Sequence, residues 1–184
     1  MTPFPLYLLR HGAPVLAGRM LGHEDCDVTA EGLIACADQA RKLRFTRLIA
    51  SDLRRARHCA GAIGAPVLDP RWRELDFGAW DGLPPDAIDA DALARFRDDP
   101  DANPPPGGER WSALLARVGE AIDALAPEAT LVVTHGGAMR AALAHLCGLS
   151  QPATWAFDLP YAAVVALDIW DAAPRRAQIT GLWR

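Results

Sequence analysis

Leu6-Tyr7-Leu8-Leu9-Arg10-His11-Gly12 is a short apolar run that halts at a cation, an imidazole and a glycine. The run from Leu6 to Leu9 is short and has no helical period, so it predicts a buried strand. Two later segments repeat the design. Leu48-Ile49-Ala50 leads to Ser51-Asp52 and the Arg54-Arg55 pair, and Leu131-Val132-Val133-Thr134 ends at His135-Gly136-Gly137. Helical patterns lie between them. Thr29 is placed to cap a helix carrying Leu33, Ile34, Ala37, Ala40 and Leu43. Further helices are predicted from Leu53 to Ile63, from Pro84-Pro85 toward Asp98, from Glu109 to Leu125 and from Ala138 to Cys147. Pro66-Val67-Leu68 reads as a short strand, and 162–170 and 177–183 as two closing strands. This alternation predicts an α/β fold: a three-layer sandwich with a mostly parallel central sheet and helices on both faces. A length of 184 residues suits a single domain over 1–184. In such sheets ligands gather at the carboxyl ends of the strands. The three strand ends would then deliver His11, His135 and several arginines to one edge.

Composition narrows the partners. A formal net charge of -4 argues against polyanion binding through bulk charge, so no nucleic-acid partner is expected. A small phosphate ester needs only a few cations in a cleft. The opening residues lack the basic and long apolar regions of a signal peptide, and no apolar run approaches the roughly 18 residues of a membrane span, so no membrane partner is expected. Cys26, Cys36, Cys59 and Cys147 form no close pair, which shows neither a zinc nor a redox motif. Scattered thiols of this kind fit a reduced, cytoplasmic protein. A homodimer is left open.

The strand-end residues suit one chemistry. Arginine presents a permanently charged planar fork that matches phosphate oxygens. A glycine directly after a histidine lets backbone N–H groups approach an anion. Neutral imidazole is a competent nucleophile near neutral pH. Such a site would drive phosphoryl transfer by positioning and by neutralising charge. The departing alkoxide would still need a proton from a nearby carboxylic acid.

Leu9-Arg10-His11-Gly12 closely resembles the signature of the histidine phosphatase superfamily, also called phosphoglycerate mutase-like. Four other segments match its motifs in order: Ser51 to Arg57 (SDLRRAR), Glu74 to Gly82 (ELDFGAWDG), Pro106-Gly107-Gly108-Glu109, and Val133-Thr134-His135-Gly136-Gly137. The resemblance implies that His11 is the phosphorylated nucleophile. It implies that Arg10, Arg55 and His135 hold the phosphoryl group, with the backbone at Gly136 helping. It also implies that Glu74 protonates the leaving group and then activates water. No metal and no other cofactor are implied. Without the resemblance, Arg55 would read as one cation of a solvated helix face and Glu74 as an ordinary surface acid.

The segment after His11 departs from the common pattern: Ala13-Pro14-Val15-Leu16-Ala17-Gly18 stands where many members carry Glu-Thr and, later, an asparagine. The contracted stretch from Gly18 to Gly22, with Asp25 and Asp27-Val28-Thr29, is similar to the α-ribazole phosphatases of cobalamin synthesis. The Pro-Pro-Gly-Gly-Glu loop fits that branch, whereas Arg110 replaces a serine often found there. Arg19, Gly22 and His23, in this short loop, are candidates for substrate contact. The expected activity is hydrolysis of a small-molecule phosphate monoester. The alternatives are a small phosphoglycerate mutase-like enzyme and a non-catalytic protein that binds a phosphorylated ligand. His58 and His145 sit within helical patterns and read as structural. Trp80 is expected near the pocket, and residues 83–103 are expected to roof it.

Overall fold

Strands covered on both faces read as near-continuous apolar runs, and the two central strands do so. In the computed structural model, which describes residues 2–184, β1 (Phe4–Arg10) sends Leu6 and Leu8 to one face of the sheet and Leu9 to the other. β4 (Thr130–Thr134) sends Val132 to the first face and Leu131 and Val133 to the second. All six side chains are fully buried, and each such burial contributes about 1.5–3 kcal/mol.

β2 (Arg47–Ala50) and β3 (Val67–Leu68) extend the sheet on the β4 side, parallel to it. β5 (Val164–Trp170) and β6 (Arg176–Trp183) extend it antiparallel on the β1 side. The order is β3-β2-β4-β1-β5-β6. Helices α1 (Ala30–Ala40) and α2 (Arg54–Ile63) cover the face that carries Leu9, Leu131 and Val133. Helices α4 (Trp111–Asp123) and α5 (Gly136–Cys147) cover the other, through Leu114, Val118, Ile122, Met139 and Leu143. These are the three expected layers. Among the described residues no helix is long and apolar enough to cross a membrane.

Thr29 caps α1 as expected, its hydroxyl accepting from Gly32 N–H at 3.0 Å. Most expected boundaries shift by one to three residues, and two differences have a clear physical cause. Pro84-Pro85 opens only a single 3-10 turn, Pro85–Ala87. The chain then extends at Ile88, which is buried against Trp80 and Leu93. Helix α3 (Ala90–Asp98) starts afresh with Asp89 accepting from Ala92 N–H. The second difference is at β5, which begins at Val164 rather than at residue 162. Ala162 has φ 60°, a left-handed conformation that a strand cannot contain.

Candidate active site

The register of the two central strands builds the site. Arg10 lies opposite Thr134, so His11 and His135 leave the sheet side by side, one residue further on. The His11 N–H donates to the Thr134 carbonyl at 2.8 Å. The two rings stand 5.0 Å apart between centroids, inclined at 61°, and both are buried. Gly12 then passes so close to α1 that a Cβ there would lie 2.2 Å from the Gly32 carbonyl oxygen. Only glycine fits that approach.

Hydrogen bonding sets the state of each ring. His11 Nδ1 lies 2.7 Å from the Gly12 carbonyl oxygen. A carbonyl can only accept, so Nδ1 carries the proton and Nε2 keeps its lone pair. Burial holds the His11 pKa well below the ordinary imidazole value, and the Arg55 and Arg10 charges push the same way, against the Gly12 carbonyl. His135 is held low chiefly by burial as well, then by Arg55, His11 and Arg10. Both imidazoles are therefore neutral at neutral pH. His135 Nε2 pairs with Ser51 Oγ at 2.8 Å. Ser51 Oγ also accepts from Leu53 N–H at 3.3 Å. The buried Nδ1 of His135 has no partner among the described residues.

Arginines surround the pair. Arg10 Nη1 donates to the Leu159 carbonyl at 2.6 Å, and its guanidinium lies 4.4 Å from the centre of the Tyr161 ring. That same ring is 5.5 Å from the His11 ring. Arg10 also lies against Gly136, where a Cβ would be 3.5 Å from its guanidinium carbon. Arg55, completely buried, donates to the carbonyls of Leu21, Gly22 and Glu24 at 2.7–2.9 Å. The Nε of Arg10 and that of Arg55 are buried without partners among the described residues. Helix α5 starts at Gly136, so its first amides and the positive end of its dipole face the strand end. Fixed cations and N–H donors of this kind suit a dianion.

Glu74 reaches the same place from outside the sheet. Its Oε2 accepts from Gly137 N–H at 2.9 Å and its Oε1 from Leu75 N–H at 2.8 Å. A Cβ at Gly137 would lie 2.1 Å from Glu74 Oε1, so glycine is what admits the carboxylate. Arg117 fixes the backbone beneath it, donating to the carbonyls of Arg71, Arg73 and Glu74, each at 2.8 Å, and forking onto Glu109 at 2.7 and 2.8 Å.

Of the three loop candidates, Arg19 is exposed and donates to the Gly82 carbonyl at 2.8 Å. Gly22 and His23 lie one step back from the imidazoles. Asp81 accepts from their backbone N–H groups, the Gly22 carbonyl accepts from Arg55, and the His23 ring pairs with the Glu74 carbonyl at 3.2 Å. His58 pairs with Asp27 and His145 with Asp123, both outside the site. The sequence carried no readable sign of Tyr161, Arg117 or Arg140. Each lacks a local pattern, and each is recruited by a contact across the fold. Arg140, on α5, donates to the Thr154 and Phe157 carbonyls and borders a cavity of about 340 Å³ beside Arg10, Glu74 and Gly137. Leu93, Phe96, Arg97 and Pro100 form part of its wall, so the 83–103 segment contributes to the pocket. Trp80 stands behind that wall, 5.6 Å from the Phe96 ring.

Known proteins are similar to this chain over most of its length. The curated adenosylcobalamin/alpha-ribazole phosphatase of Salmonella typhimurium is 29% identical over 181 residues, covering 89% of this chain and 90% of its own length. The probable phosphoglycerate mutase GpmB of Erwinia tasmaniensis is 32% identical over 161 residues, covering 78% of this chain and 75% of its own. A crystal structure of a putative alpha-ribazole-5'-P phosphatase from Escherichia coli superposes with a TM-score of 0.85 at 25% identity, over 99% of this chain and 97% of that one. The family model described as histidine phosphatase superfamily (branch 1) spans residues 6–180. Paired imidazoles, an arginine cluster and a match over nearly the whole chain lead to one conclusion: the chain belongs to the histidine phosphatase superfamily.

Proposed function

We propose that the chain hydrolyses a small-molecule phosphate monoester through a phosphohistidine at His11. The observation that carries this reading is the His11 tautomer: Nδ1 is committed to the Gly12 carbonyl, and the free lone pair sits on Nε2 amid arginines. In the first step Nε2 forms a bond to phosphorus and the ester P–O bond breaks. The leaving alkoxide takes a proton from the Glu74 carboxylic acid. In the second step water gives a proton back to Glu74 and attacks phosphorus, and the N–P bond breaks to release phosphate. Arg10, Arg55, His135 and the Gly136 amide hold the equatorial oxygens throughout. Arg19, Gly22 and His23 act from the loop that Arg55 and Asp81 anchor, with Gly22 and His23 shaping the phosphate side of the site.

The finer reading is α-ribazole 5'-phosphate as substrate, in the cytoplasm. It is supported by the contracted Gly18–Gly22 loop, by relatives named for that activity, and by four cysteines present as free thiols. A mutase reading is favoured by relatives named probable phosphoglycerate mutase. The deciding experiment takes wild type and His11→Ala with p-nitrophenyl phosphate, α-ribazole 5'-phosphate and 3-phosphoglycerate. Wild type should release phosphate, form an acid-labile label at His11 and be indifferent to EDTA, while His11→Ala is inert. Full activity in His11→Ala would falsify the nucleophile assignment. Conversion of 3-phosphoglycerate to its 2-isomer without net phosphate release would replace the phosphatase by a mutase.

A further inference from the structure

The cavity beside Glu74 is built from a different chemistry than the phosphate site it adjoins. Its phosphate end is cationic, at Arg10 and Gly136, and Glu74 and Gly137 stand next to it. The rest of its wall is largely apolar, with Phe77, Phe96, Trp111 and Leu114 prominent and Arg97, Arg140 and Gln151 as its polar members. A leaving group whose ester oxygen is protonated by Glu74 extends into this space, because Glu74 itself lines it.

The aromatic wall is already organised. Phe96 stands edge-on to Phe77 at 6.0 Å and to Trp80 at 5.6 Å, so neighbours hold its ring on two sides. At the solvent end, Trp155 is 62% exposed, although a tryptophan usually buries most of its surface. It is not loose: the Arg140 guanidinium lies 4.0 Å from the centre of its ring, and Arg140 is itself tied to the Thr154 and Phe157 carbonyls. The result is an indole fixed at the mouth of an aromatic cavity and left largely open to solvent.

We infer that this cavity binds a planar, apolar leaving group, an aryl or heteroaryl body one bond or more from the ester oxygen, with Trp155 as its specificity-determining platform. The inference rests on the phosphatase reading above and adds the class of alcohol released. A polyol or a short hydroxy acid would find only Arg97, Arg140 and Gln151 as polar partners on this wall, and its other polar groups would lie against Phe77, Phe96, Trp111 and Leu114. A flat ring would meet ring faces and edges at distances that reward aromatic pairs.

The test compares 2-naphthylmethyl, cyclohexylmethyl and butyl phosphates, three primary alkyl esters with leaving alcohols of similar acidity. Wild type should prefer the naphthylmethyl ester by about tenfold or more in kcat/KM, the equivalent of about 1.4 kcal/mol. Trp155→Ala should shrink that ratio several-fold, and Trp155→Phe should restore most of it. Titration calorimetry with 2-naphthylmethanol and cyclohexylmethanol reads the same preference without turnover, so it decides the matter even if no ester is hydrolysed. Tighter binding of the flat alcohol, weakened in Trp155→Ala, supports the inference. Equal treatment of the three esters or the two alcohols by wild type, or a ratio unmoved by Trp155→Ala, overturns it. Loss of all hydrolysis and of the His11 label would instead count against the phosphatase reading.

Discussion

Gly137→Ala is the most discriminating change at this site, because it displaces the proposed proton donor, Glu74, without altering an ionisable group. The added methyl carbon would sit 2.1 Å from Glu74 Oε1 and 3.1 Å from its carboxyl carbon. Carbon and oxygen in contact need more than 3 Å, so the carboxylate must retreat by about 1 Å and lose its hydrogen bond from the Gly137 N–H, now 2.9 Å. A bond to a charged acceptor is worth about 1.5–3 kcal/mol. Alanine inside a helix is better than glycine by about 0.5–1 kcal/mol, and Gly137 has no left-handed φ to lose. The net cost of about 1–2 kcal/mol should lower Tm by only a few degrees. The catalytic cost should be larger, since a positioned acid contributes about 100-fold to 10,000-fold. The assay is kcat/KM, which reports the steps up to alcohol release. Benzyl phosphate, with a poorly leaving alkoxide, should lose about 100-fold, and p-nitrophenyl phosphate less than about tenfold. Glu74→Gln should show the same asymmetry. Equal losses on both esters, or none on either, would refute the placement of the proton donor on the Gly137 amide.

Four further outcomes are expected. The folded-state pKa values of His11 and His135 lie below the unfolded value of about 6.5, so the unfolded chain binds more protons in that interval. Stability should therefore be full above about pH 6.5 and fall as the pH drops toward the folded values, a decline that urea midpoints should show and that His11→Gln should reduce. The paired Asp52 and Asp69 add their own loss only at lower pH, beneath their ordinary value of 3.8. The acid limb of kcat/KM should likewise lie below pH 6.5, and a limb above that would contradict a neutral, buried nucleophile. Ser51→Ala leaves the buried Nε2 of His135 unpaired and should cost about 1–3 kcal/mol by chemical denaturation, with weaker inhibition by inorganic phosphate. Tyr161→Ala should weaken phosphate inhibition several-fold by freeing Arg10, and Tyr161→Phe should not, because the ring rather than the hydroxyl meets the guanidinium. Equal effects of the two would remove that role.

The strands were legible because fully covered strands leave unbroken apolar runs, as in Leu6 to Leu9 and Leu131 to Val133. The helix at Thr29 was legible because a cap is a local bond between near neighbours. The expected helix from Pro84 failed for a tertiary reason: Ile88 is pulled into a cluster with Trp80 and Leu93 and breaks the run. His11 and His135 could be paired in advance because both end apolar runs in a parallel sheet. Arg117 and Tyr161 could not. One acts through carbonyls more than 40 residues away, and the other through a contact with a strand end about 150 residues away. Neither spacing leaves a local signature.

The Arg117 fork has a mechanical consequence. The proposed nucleophile is mounted on the sheet, at the tip of β1, whereas the backbone of the proposed acid, Glu74, is lashed by Arg117 to α4, in the layer above. The separation of the two then depends on the packing between those layers as well as on the Gly137 amide that holds the carboxylate. Trimming Val118, deep in that seam and outside the cavity wall, is expected to let α4 settle toward the sheet and detune proton delivery while the anion cradle stays as it was. Interior volume thus becomes an adjusting screw for reaction chemistry, reachable by substitutions that never touch a substrate.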